Sequence, residues 1–335
     1  MTQVSNSPPV VNHIPAEGEN GLFSQSWFPI CTAAEVAPGQ IIGRSFLDGR
    51  VVILRGESGE VQVLSPYCPH LGTDLVTGEV DGDIVRCAFH KWEFDLTGQC
   101  VRTAIGDPAP KAARLFRFPT VERFGLIWAF NGTEPTWELP SFPFPDEELS
   151  VRARYDVPVM PVDPWVVCAN TPDWQHLRAV HRMDFDTDRI LTGVRWTEHS
   201  MEYDIVGRME HGSGDEVNFV GSIYGTSLFR LYGTMGKQWF GVLSPFGMPR
   251  PGVTQNYFIT CFKKSDNPTG NDADFDMAHL RLFEFGKHFT SDDRPILHNI
   301  RYRPGTLTKS DRLLARYLNM VRNYPRAHPS SDYIK

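Results

Sequence analysis

Two short blocks, each with one cysteine and one histidine, constrain this chain more than any other feature of its sequence. The first block is Cys68–His70 (CPH), and the second, after 16 intervening residues, is Cys87–His90 (CAFH). At one fixed spacing, this pattern occurs by chance in roughly one chain in ten thousand of this composition. Between the blocks, Asp81-Gly82 is flanked by strand-forming residues, which predicts a tight β-hairpin. The two blocks are therefore expected to lie side by side at one end of that hairpin.

The residue types in these blocks are those of a metal site. Cys68 and Cys87 as thiolates on one iron, with His70 and His90 as imidazoles on the other, can hold a [2Fe-2S] cluster. Imidazole ligands raise the reduction potential of such a cluster to about -150 to +300 mV, so it accepts electrons readily. A structural zinc ion uses the same ligand types. Zinc fingers, however, pair Cys with Cys and His with His, whereas each block here is mixed, and this favours the iron–sulfur cluster.

Charge and hydropathy exclude several classes of function. The chain of 335 residues has a formal net charge of -7 and a pI near 5.9, without the basic footprint of a nucleic-acid or anionic-lipid binder. Its longest apolar runs, such as Phe124–Phe130, are far shorter than the roughly 18 residues of a membrane span. Residues 1–25 lack a secretory signal and are expected to form a flexible polar tail. Six cysteines without such a signal are expected to be reduced, in a cytoplasmic protein.

The secondary-structure pattern predicts two domains of different composition. Residues 26–135 contain short apolar or alternating runs separated by Gly, Asp and Pro turns, which predicts an all-β domain. Residues 131–147 contain four prolines and mark the boundary, since proline disrupts both helices and central strands. Residues 136–335 combine strand-like and helix-like segments, so the chain is expected to be α+β with a largely antiparallel second sheet. The strand-like segments are 194–209, 215–224, 226–235, 238–245 and 253–263, and the helix-like segments are Asp274–His288 and Asp311–Val321.

A second constellation lies near the start of the second predicted domain. The segment Asn170–His181 contains two histidines, His176 and His181, that can join a carboxylate in a facial triad on divalent iron and leave positions open for dioxygen and substrate. A helix is predicted to begin at Thr171, with Pro172 at its first position. On an ideal helix, residues five apart are separated by about 140°. The helix is therefore predicted to bulge or end between the histidines; otherwise they are ordinary surface residues.

Both constellations resemble those of one protein family. The span Tyr67–Cys100 resembles the Rieske domain of Rieske non-haem iron oxygenases, especially 3-ketosteroid 9α-hydroxylase oxygenases and cholesterol 7-desaturases, with Ala88 where proline is common. The segment Asn170–His181 is similar to the family motif N-x-x-D-x-x-H-x(3–4)-H. This resemblance implies an N-terminal Rieske [2Fe-2S] domain and a C-terminal helix-grip (START-like) catalytic domain with an antiparallel sheet.

The resemblance also implies a third iron ligand far downstream. An Asp-x-x-Ile pattern selects Asp293, with Ile296 three residues on. A count from an upstream aromatic residue selects Asp292 instead, and the residues alone do not separate either one from Glu284 or Asp276. The aspartate that is not used is expected in the first turn of a helix, where a carboxylate stabilises the N-terminus.

Two further residues of the motif are open to two interpretations. Asp173 is either an acidic residue in a helix first turn or, by resemblance, a bridging carboxylate between His176 and a cluster histidine of a neighbouring subunit, His90. The full motif favours the bridge. Asn170 approaches the iron by resemblance, or is a loop residue before the helix. The resemblance therefore places Asp173 and Asn170 in the catalytic machinery.

The implied activity is that of a terminal oxygenase component. Electrons pass from NAD(P)H through a separate reductase with flavin and iron–sulfur centres, or a ferredoxin, to the cluster and on to mononuclear Fe(II), where O2 and a hydrophobic ring compound react. The chain has no G-x-G-x-x-G motif, so the reductase is expected to be another protein. The family's short oxygenases are typically homotrimers. Demethylation and desaturation use the same chemistry, and a non-catalytic electron carrier with a ligand-binding domain is an alternative.

The other cysteines and histidines are expected to be structural. Cysteine is often a small buried residue, and lone histidines more often lie in cores or on surfaces than in sites. The residues in this group are Cys31, Cys100, Cys168 and Cys261, with His199, His211, His279, His288, His298 and His328.

Overall fold

Short antiparallel strands form the first part of the molecule. The computed structural model of the chain describes residues 13–155, 158–185, 187–209, 216–267, 269, 271–303 and 305–335. The strands in the first part are β1 (Phe23–Ser24), β2 (Trp27–Thr32), β3 (Gln40–Phe46), β4 (Gly49–Arg55), β5 (Val61–Leu64), β6 (Glu79–Asp81), β7 (Ile84–Arg86), β8 (Glu93–Asp95), β9 (Cys100–Arg102), β10 (Thr120–Arg123) and β11 (Leu126–Phe130). Short 3-10 helices lie at Glu19–Gly21, Ala33–Glu35 and Leu75–Thr77.

Strands β2–β11 form three small sheets with the orders β10-β11-β2, β3-β4-β5 and β6-β7-β8-β9, and β1 pairs with β21 near the C-terminus. The predicted Asp-Gly hairpin joins β6 to β7: Asp81 pairs with Ile84, and Gly82 takes a positive φ of 61°. Glycine adopts this left-handed conformation without the steric cost that a Cβ would bring. The prediction of an all-β first domain is confirmed. Residues 131–145 contain no helix or strand, as the four prolines predict.

One large antiparallel sheet organises the second part, in the order β12-β20-β18-β17-β16-β15-β13, with β14 paired to β15 and β19 to β18. The α+β prediction is therefore confirmed. Its strands are β12 (Leu149–Arg154), β13 (Met183–Phe185), β14 (Arg195–Trp196), β15 (Ser200–Met209), β16 (Glu216–Tyr224), β17 (Leu228–Met235), β18 (Gln238–Arg250), β19 (Val253–Asn256), β20 (Phe258–Lys263) and, outside this sheet, β21 (Arg326–Ala327). The helices are α1 (Pro164–Ala169), α2 (Trp174–Ala179), α3 (Thr187–Gly193), α4 (Asp276–Leu297), α5 (Arg312–Arg322) and α6 (Ser331–Ile334), with 3-10 turns at Asp146–Glu148, Lys264–Asp266, Asp272–Phe275 and Lys309–Asp311. Among the described residues, no helix is long and apolar enough to cross a membrane.

Helix α4 packs its apolar residues on this sheet. Leu282 and Phe283 are buried, and the Phe283 ring lies edge-on to Phe258 of β20, with centroids 5.9 Å apart. Amphipathic helices gain most of their stability from burying such a face. The close approach of helix and sheet fixes where the C-terminal turns of α4, and any functional residue on them, lie relative to the sheet.

Gly286 allows this close approach, and its replacement by alanine is expected to destabilise the protein. A Cβ at Gly286 would overlap the ring of Phe258, and overpacking of this kind costs about 1–3 kcal/mol. Gly193 is the matched control, because a Cβ there meets nothing within 4 Å. Urea denaturation should show a lower midpoint for Gly286→Ala and an unchanged or higher one for Gly193→Ala. Equal midpoints would contradict this packing.

A buried histidine joins helix α4 to the sheet. His279 is 1% exposed, and its ring nitrogens lie 2.9 Å from the Ser150 hydroxyl and 2.7 Å from that of Thr260. Burial, with a smaller effect of Arg152, lowers the pKa of His279 to about 4. Because the unfolded chain takes up this proton near pH 6.5, the unfolded state binds more protons between pH 6.5 and 4. Stability is therefore lost as the pH falls through this range.

This linkage gives a pH-dependence prediction. The His279 contribution to the free energy of unfolding should fall by up to about 3 kcal/mol between pH 6.5 and 4. We expect His279→Gln to flatten the wild-type slope of stability against pH in this window, whereas His288→Gln, at an exposed histidine, should retain it. Chemical denaturation at a series of pH values measures both slopes. An unchanged slope in His279→Gln would show that His279 titrates normally.

Two sequence-based expectations are wrong. The helix predicted to begin at Thr171 begins instead at Trp174, because the Asp173 side chain acts as its N-cap and accepts a hydrogen bond from the His176 amide. The flexible tail expected over residues 1–25 is wrong for residues 14–24. Phe23 and Ser24 pair with β21 and are buried, and Glu17 is 2% exposed. Residues 1–12 lie outside the described part of the chain.

Candidate metal centres

The two Cys/His blocks form loops with the same backbone hydrogen bonds. In the first loop, the Cys68 amide donates to the carbonyl of Thr73 and its carbonyl accepts from Gly72; in the second, the Cys87 amide donates to Trp92 and its carbonyl accepts from Lys91. The residue four positions after each cysteine has a positive φ, 79° at Gly72 and 54° at Lys91. The loops are therefore two copies of one turn, each presenting a cysteine and a histidine.

The cysteines and histidines of these loops differ in burial. Cys68 and Cys87 are 2% and 1% exposed, whereas His70 is exposed and His90 is half-buried. The two imidazole rings lie edge to face with centroids 4.6 Å apart, and the His70 ring stacks on Trp92 at 4.3 Å. This arrangement suits a cluster whose thiolate end lies in the core and whose imidazole end reaches the surface.

The environment of Cys68 calls for a bound cation. Burial raises the pKa of the Cys68 thiol to about 12, so its thiolate is favoured only when a cation binds it. Two thiolates in the core and two imidazoles nearer the surface suit a two-iron cluster, with the thiolates on one iron and the imidazoles on the other.

The second constellation does form a compact group. The donor atoms of His176, His181 and Asp293 all lie within 4.8 Å of one another. Asp293 Oδ1 is 3.2 Å from His176 Nε2 and 3.0 Å from His181 Nε2. The imidazole planes are nearly perpendicular, at 85°. Two imidazoles and one carboxylate on one side of a shared point are the donor set of a facial iron site.

A break in the helix brings the two histidines together. Helix α2 has only six residues and ends at Ala179, with Val180 as its C-cap, so His181 lies beyond the helix. The next residue, Arg182, has a positive φ of 52°, which turns the chain. The prediction that the helix bulges or ends between His176 and His181 is confirmed, because an intact helix would separate them by about 140°.

Helix α4 supplies the carboxylate. Burial opposes ionisation of Asp293, but hydrogen bonds from His176 and His181 lower its pKa to about 2. Asn170, the C-cap of α1, donates from Nδ2 to Asp293 Oδ2 at 3.1 Å. The carboxylate therefore has one oxygen towards the histidines and one held by an amide. Sequence reasoning placed Asn170 near the iron; its contact is with the aspartate.

The competing aspartate faces away from this group. Asp292 lies 3.5 Å from His288, one helical turn earlier, and its side chain is 42% exposed. The expectation that the unused aspartate lies in a helix first turn is wrong, since Asp292 is deep inside the 22-residue helix α4. Asp276 is instead in the first turn of α4 and pairs with Arg152.

The structure places Asp173 beside the triad but not in it. Its Oδ1 accepts the His176 backbone amide at 3.0 Å, and the residue is partly exposed. The contact is thus a helix cap to the backbone of an imidazole-bearing residue. No described contact joins Asp173 to His90 within this chain.

The triad lies at the wall of an apolar cavity of about 240 Å³. Residues of the large sheet and of helix α4 line it, and none of the described lining residues is a lysine or arginine. Sequence reasoning expected an apolar pocket but not its residues, although alternation along β17 and β18 carries the signal. The apolar lining residues include Ile205, Phe219, Phe229, Leu231, Phe240, Val242, Phe246, Phe258, Leu282, Phe285 and Phe289.

The remaining cysteines and histidines have structural positions in the described chain. Cys31, Cys100, Cys168 and Cys261 are free and buried, and His279 lies in the core. His211 lies outside the described residues. His288 and His298 are exposed, so these residues show no metal-binding arrangement.

Comparison with known proteins decides the identity of the first part. Residues 26–119 match the family model of the Rieske [2Fe-2S] domain. The chain contains a Rieske [2Fe-2S] domain. Curated relatives include cholesterol 7-desaturase nvd of Bombyx mori, 32% identical over 190 residues that cover 56% of this chain and 40% of the relative. Another is the oxygenase component of 3-ketosteroid-9-alpha-monooxygenase of Rhodococcus rhodochrous, 30% identical over 120 residues, 35% of this chain and 32% of the relative.

The fold beyond the Rieske domain is also found in solved structures. The structure of NdmA with caffeine, from Pseudomonas putida CBB5, superposes with a TM-score of 0.68 and 19% sequence identity over 88% of this chain and 89% of that chain. The matched part of the chain therefore has the two-part fold in which a Rieske domain precedes an antiparallel sheet with few helices. The chain spans less than half the length of the curated relatives it matches.

Proposed function

We propose that this chain is the terminal oxygenase component of a multicomponent Rieske non-haem iron monooxygenase. One observation carries the proposal: His176, His181 and Asp293 converge at the wall of an apolar cavity, in a chain that also has a Rieske [2Fe-2S] domain. A one-electron store is of use to a centre that activates dioxygen and of none to a hydrolytic zinc site. The presence of the triad therefore speaks against a carrier without catalysis.

In this proposal the residues of the two centres have distinct roles. Cys68, His70, Cys87 and His90 hold the cluster, and the histidines place its accessible edge at the surface. His176, His181 and Asp293 hold Fe(II), which when bound supplies the positions at which dioxygen and electrons meet. The chain's own part is to keep Asp293 ionised, to exclude water from the cavity, and to hold the substrate beside the triad.

We further propose that electrons reach the iron from a neighbouring copy. His70 is exposed and His90 is half-buried, and Asp173 is partly exposed beside His176. Asp173 is then the bridge to His90 of the partner subunit, in a homotrimer. The electrons come from NAD(P)H through a separate reductase or ferredoxin, and the unpaired cysteines favour a reducing compartment, the cytoplasm.

The cavity restricts the substrate to a neutral, largely apolar ring compound. Since no lysine or arginine is among its described lining residues, a carboxylate would enter without a counter-ion, at a large desolvation cost. A volume of about 240 Å³ is below the roughly 300–1,000 Å³ of sites for drug-sized ligands. This size favours compounds with one to three rings over a sterol with its side chain.

The proposed function is tested by single-turnover oxygenation. The iron-loaded chain is reduced chemically, mixed with neutral one- to three-ring compounds under ¹⁸O₂, and the products are examined by mass spectrometry. One ¹⁸O atom in an organic product, or loss of a methyl group as formaldehyde from a methylated substrate, supports an oxygenase. Oxidation of the reduced cluster without any product from the compound series would favour an electron carrier.

Asn170 is expected to act as a positioning residue for Asp293. Asn170→Leu removes the amide that holds Asp293 Oδ2 at 3.1 Å, and loss of such a contact typically lowers metal affinity 10–100-fold. Ferrous iron affinity, measured by competition with a chelator, should fall by this factor, whereas Asn170→Gln should restore part of it. An unchanged affinity in Asn170→Leu would contradict the role.

A further inference from the structure

Two polar side chains interrupt the apolar face of the sheet that lines the cavity. Residues that alternate along β18 point to one face of the sheet, and Phe240, Val242, Ser244 and Phe246 all line the cavity. Ser244 is the polar member of this row. Asn256, at the end of β19, also lines the cavity. In a wall of aromatic and aliphatic residues, such polar groups are the usual determinants of ligand orientation.

These two residues are neighbours on the sheet. Asn256 pairs directly with Phe246 across β18 and β19, and Ser244 is two residues before Phe246 on the same face. Ser244 and Asn256 are therefore diagonal neighbours, a relation that places Cβ atoms within about 7–8 Å. One ligand oxygen between them can contact both side chains.

One side-chain oxygen of Asn256 lacks a hydrogen-bond donor. Its Nδ2 donates to the Pro158 carbonyl at 2.9 Å, which fixes the orientation of the amide. Asn256 is 3% exposed, and in the described part of the chain its Oδ1 accepts no hydrogen bond. A buried acceptor without a donor is unfavourable, because the hydrogen bond that it makes to water in the unfolded chain is not replaced. The Ser244 side chain is partly accessible, and its hydroxyl group can donate or accept.

We propose that Ser244 and Asn256 form a recognition site for a hydroxyl group on the substrate, an inference that rests on the proposed oxygenase function. A ligand hydroxyl donates to Asn256 Oδ1 and accepts from the Ser244 hydroxyl, which satisfies both side chains. A ketone accepts from Ser244 but places a second acceptor against Asn256 Oδ1. The site therefore selects neutral cyclic alcohols over the matching ketones.

The test compares alcohol and ketone pairs that share one skeleton. Isothermal titration calorimetry of the iron-loaded full chain, without oxygen or reductase, is carried out with cyclohexanol and cyclohexanone, 2-tetralol and 2-tetralone, and 9-fluorenol and 9-fluorenone. We expect the best-fitting alcohol to bind at least tenfold more tightly than its ketone. Equal affinities, a preference for ketones, or no binding by any of the three alcohols would overturn the inference.

Single substitutions separate the contributions of the two side chains to ligand binding. Asn256→Leu should remove the alcohol preference, whereas Ser244→Ala should weaken alcohol and ketone by similar factors and keep their ratio. Thr290→Val is the matched control in the cavity wall, because the Thr290 hydroxyl already donates to the Gly286 carbonyl, and it should leave the ratio unchanged. If Asn256→Leu does not fold, the alcohol-to-ketone affinity ratio of the wild type and the affinities of Ser244→Ala still test the proposed recognition site.

The binding measurement is independent of turnover, so the two proposals fail separately. Alcohol-selective binding without oxygenated product in the single-turnover experiment would retain this recognition site and reject the oxygenase function. Oxygenated product with equal alcohol and ketone affinities would retain the oxygenase function and reject this recognition site.

Discussion

Replacing Asp293 by alanine is expected to abolish oxygenation while leaving the [2Fe-2S] cluster intact. Asp293 is the one carboxylate within 4.8 Å of both His176 and His181 among the described residues, and a site left with two imidazoles holds ferrous iron poorly. Product formation should fall by more than about 100-fold, and mononuclear iron should be lost. The visible absorption of the reduced and oxidised cluster should match that of the wild type.

The adjacent aspartate provides the control for this prediction. Asp292 differs by one position along the same helix, but its side chain is 42% exposed and lies near His288. Asp292→Ala should keep its iron and its activity. The assignment of Asp293 would be rejected if Asp292→Ala lost iron while Asp293→Ala retained it.

Replacing Cys68 by alanine is expected to remove the cluster. Its buried thiol, with a pKa raised to about 12, forms a thiolate when iron compensates the charge, and no other residue in its loop supplies a sulfur. The purified variant should lack the brown colour, two irons and two sulfides per chain. It should also fail to accept electrons from dithionite at Rieske potentials.

A second buried cysteine tests whether this effect is specific. Cys100 lies in the same apolar cluster as Cys68 and Cys87 and is also buried, but it belongs to β9 and not to a Cys/His loop. Cys100→Ala removes a comparable buried volume and should keep the full cluster. A loss of cluster in both variants would mean that packing in this core, and not ligation, explains the result.

The proposed cluster ligands could be located from sequence because each Cys/His pair is local. Each loop carries its cysteine and histidine within four residues, and the Asp81-Gly82 turn that joins the loops has its own sequence signature. The His176 and His181 pair was also predictable, including the break in α2. The break follows from the geometry of a helix, which cannot place residues five apart on one metal.

The carboxylate of the triad and the polar pair in the cavity wall could not be predicted, because they depend on contacts between residues that are distant in sequence. Asp293 lies 112 residues after His181, and the choice between Asp293 and Asp292 is set by the rotation of α4 against the sheet. That rotation depends on packing such as that of Gly286 on Phe258, which no local pattern encodes. The polar residues Ser244 and Asn256 come together through strand pairing, so sequence periodicity alone does not mark them as a pair.

Local signals were also misleading in two places. Thr171-Pro172 has the composition of a helix start, but the Asp173 side chain caps the His176 amide, so the helix begins three residues later. Residues 1–25 were expected to form a flexible tail, yet Phe23 and Ser24 are held by strand pairing with β21. In both cases a specific hydrogen-bond partner outweighed the average tendency of the segment.

The most direct test of two iron centres in one chain is its metal and sulfide content, measured with electron paramagnetic resonance on anaerobically purified, reduced protein. We expect three irons and two acid-labile sulfides per chain, with a Rieske-type signal. Preparations that lose the mononuclear iron should recover it on addition of ferrous iron. Zinc without sulfide, or two irons that added ferrous iron never raises to three, would contradict this account.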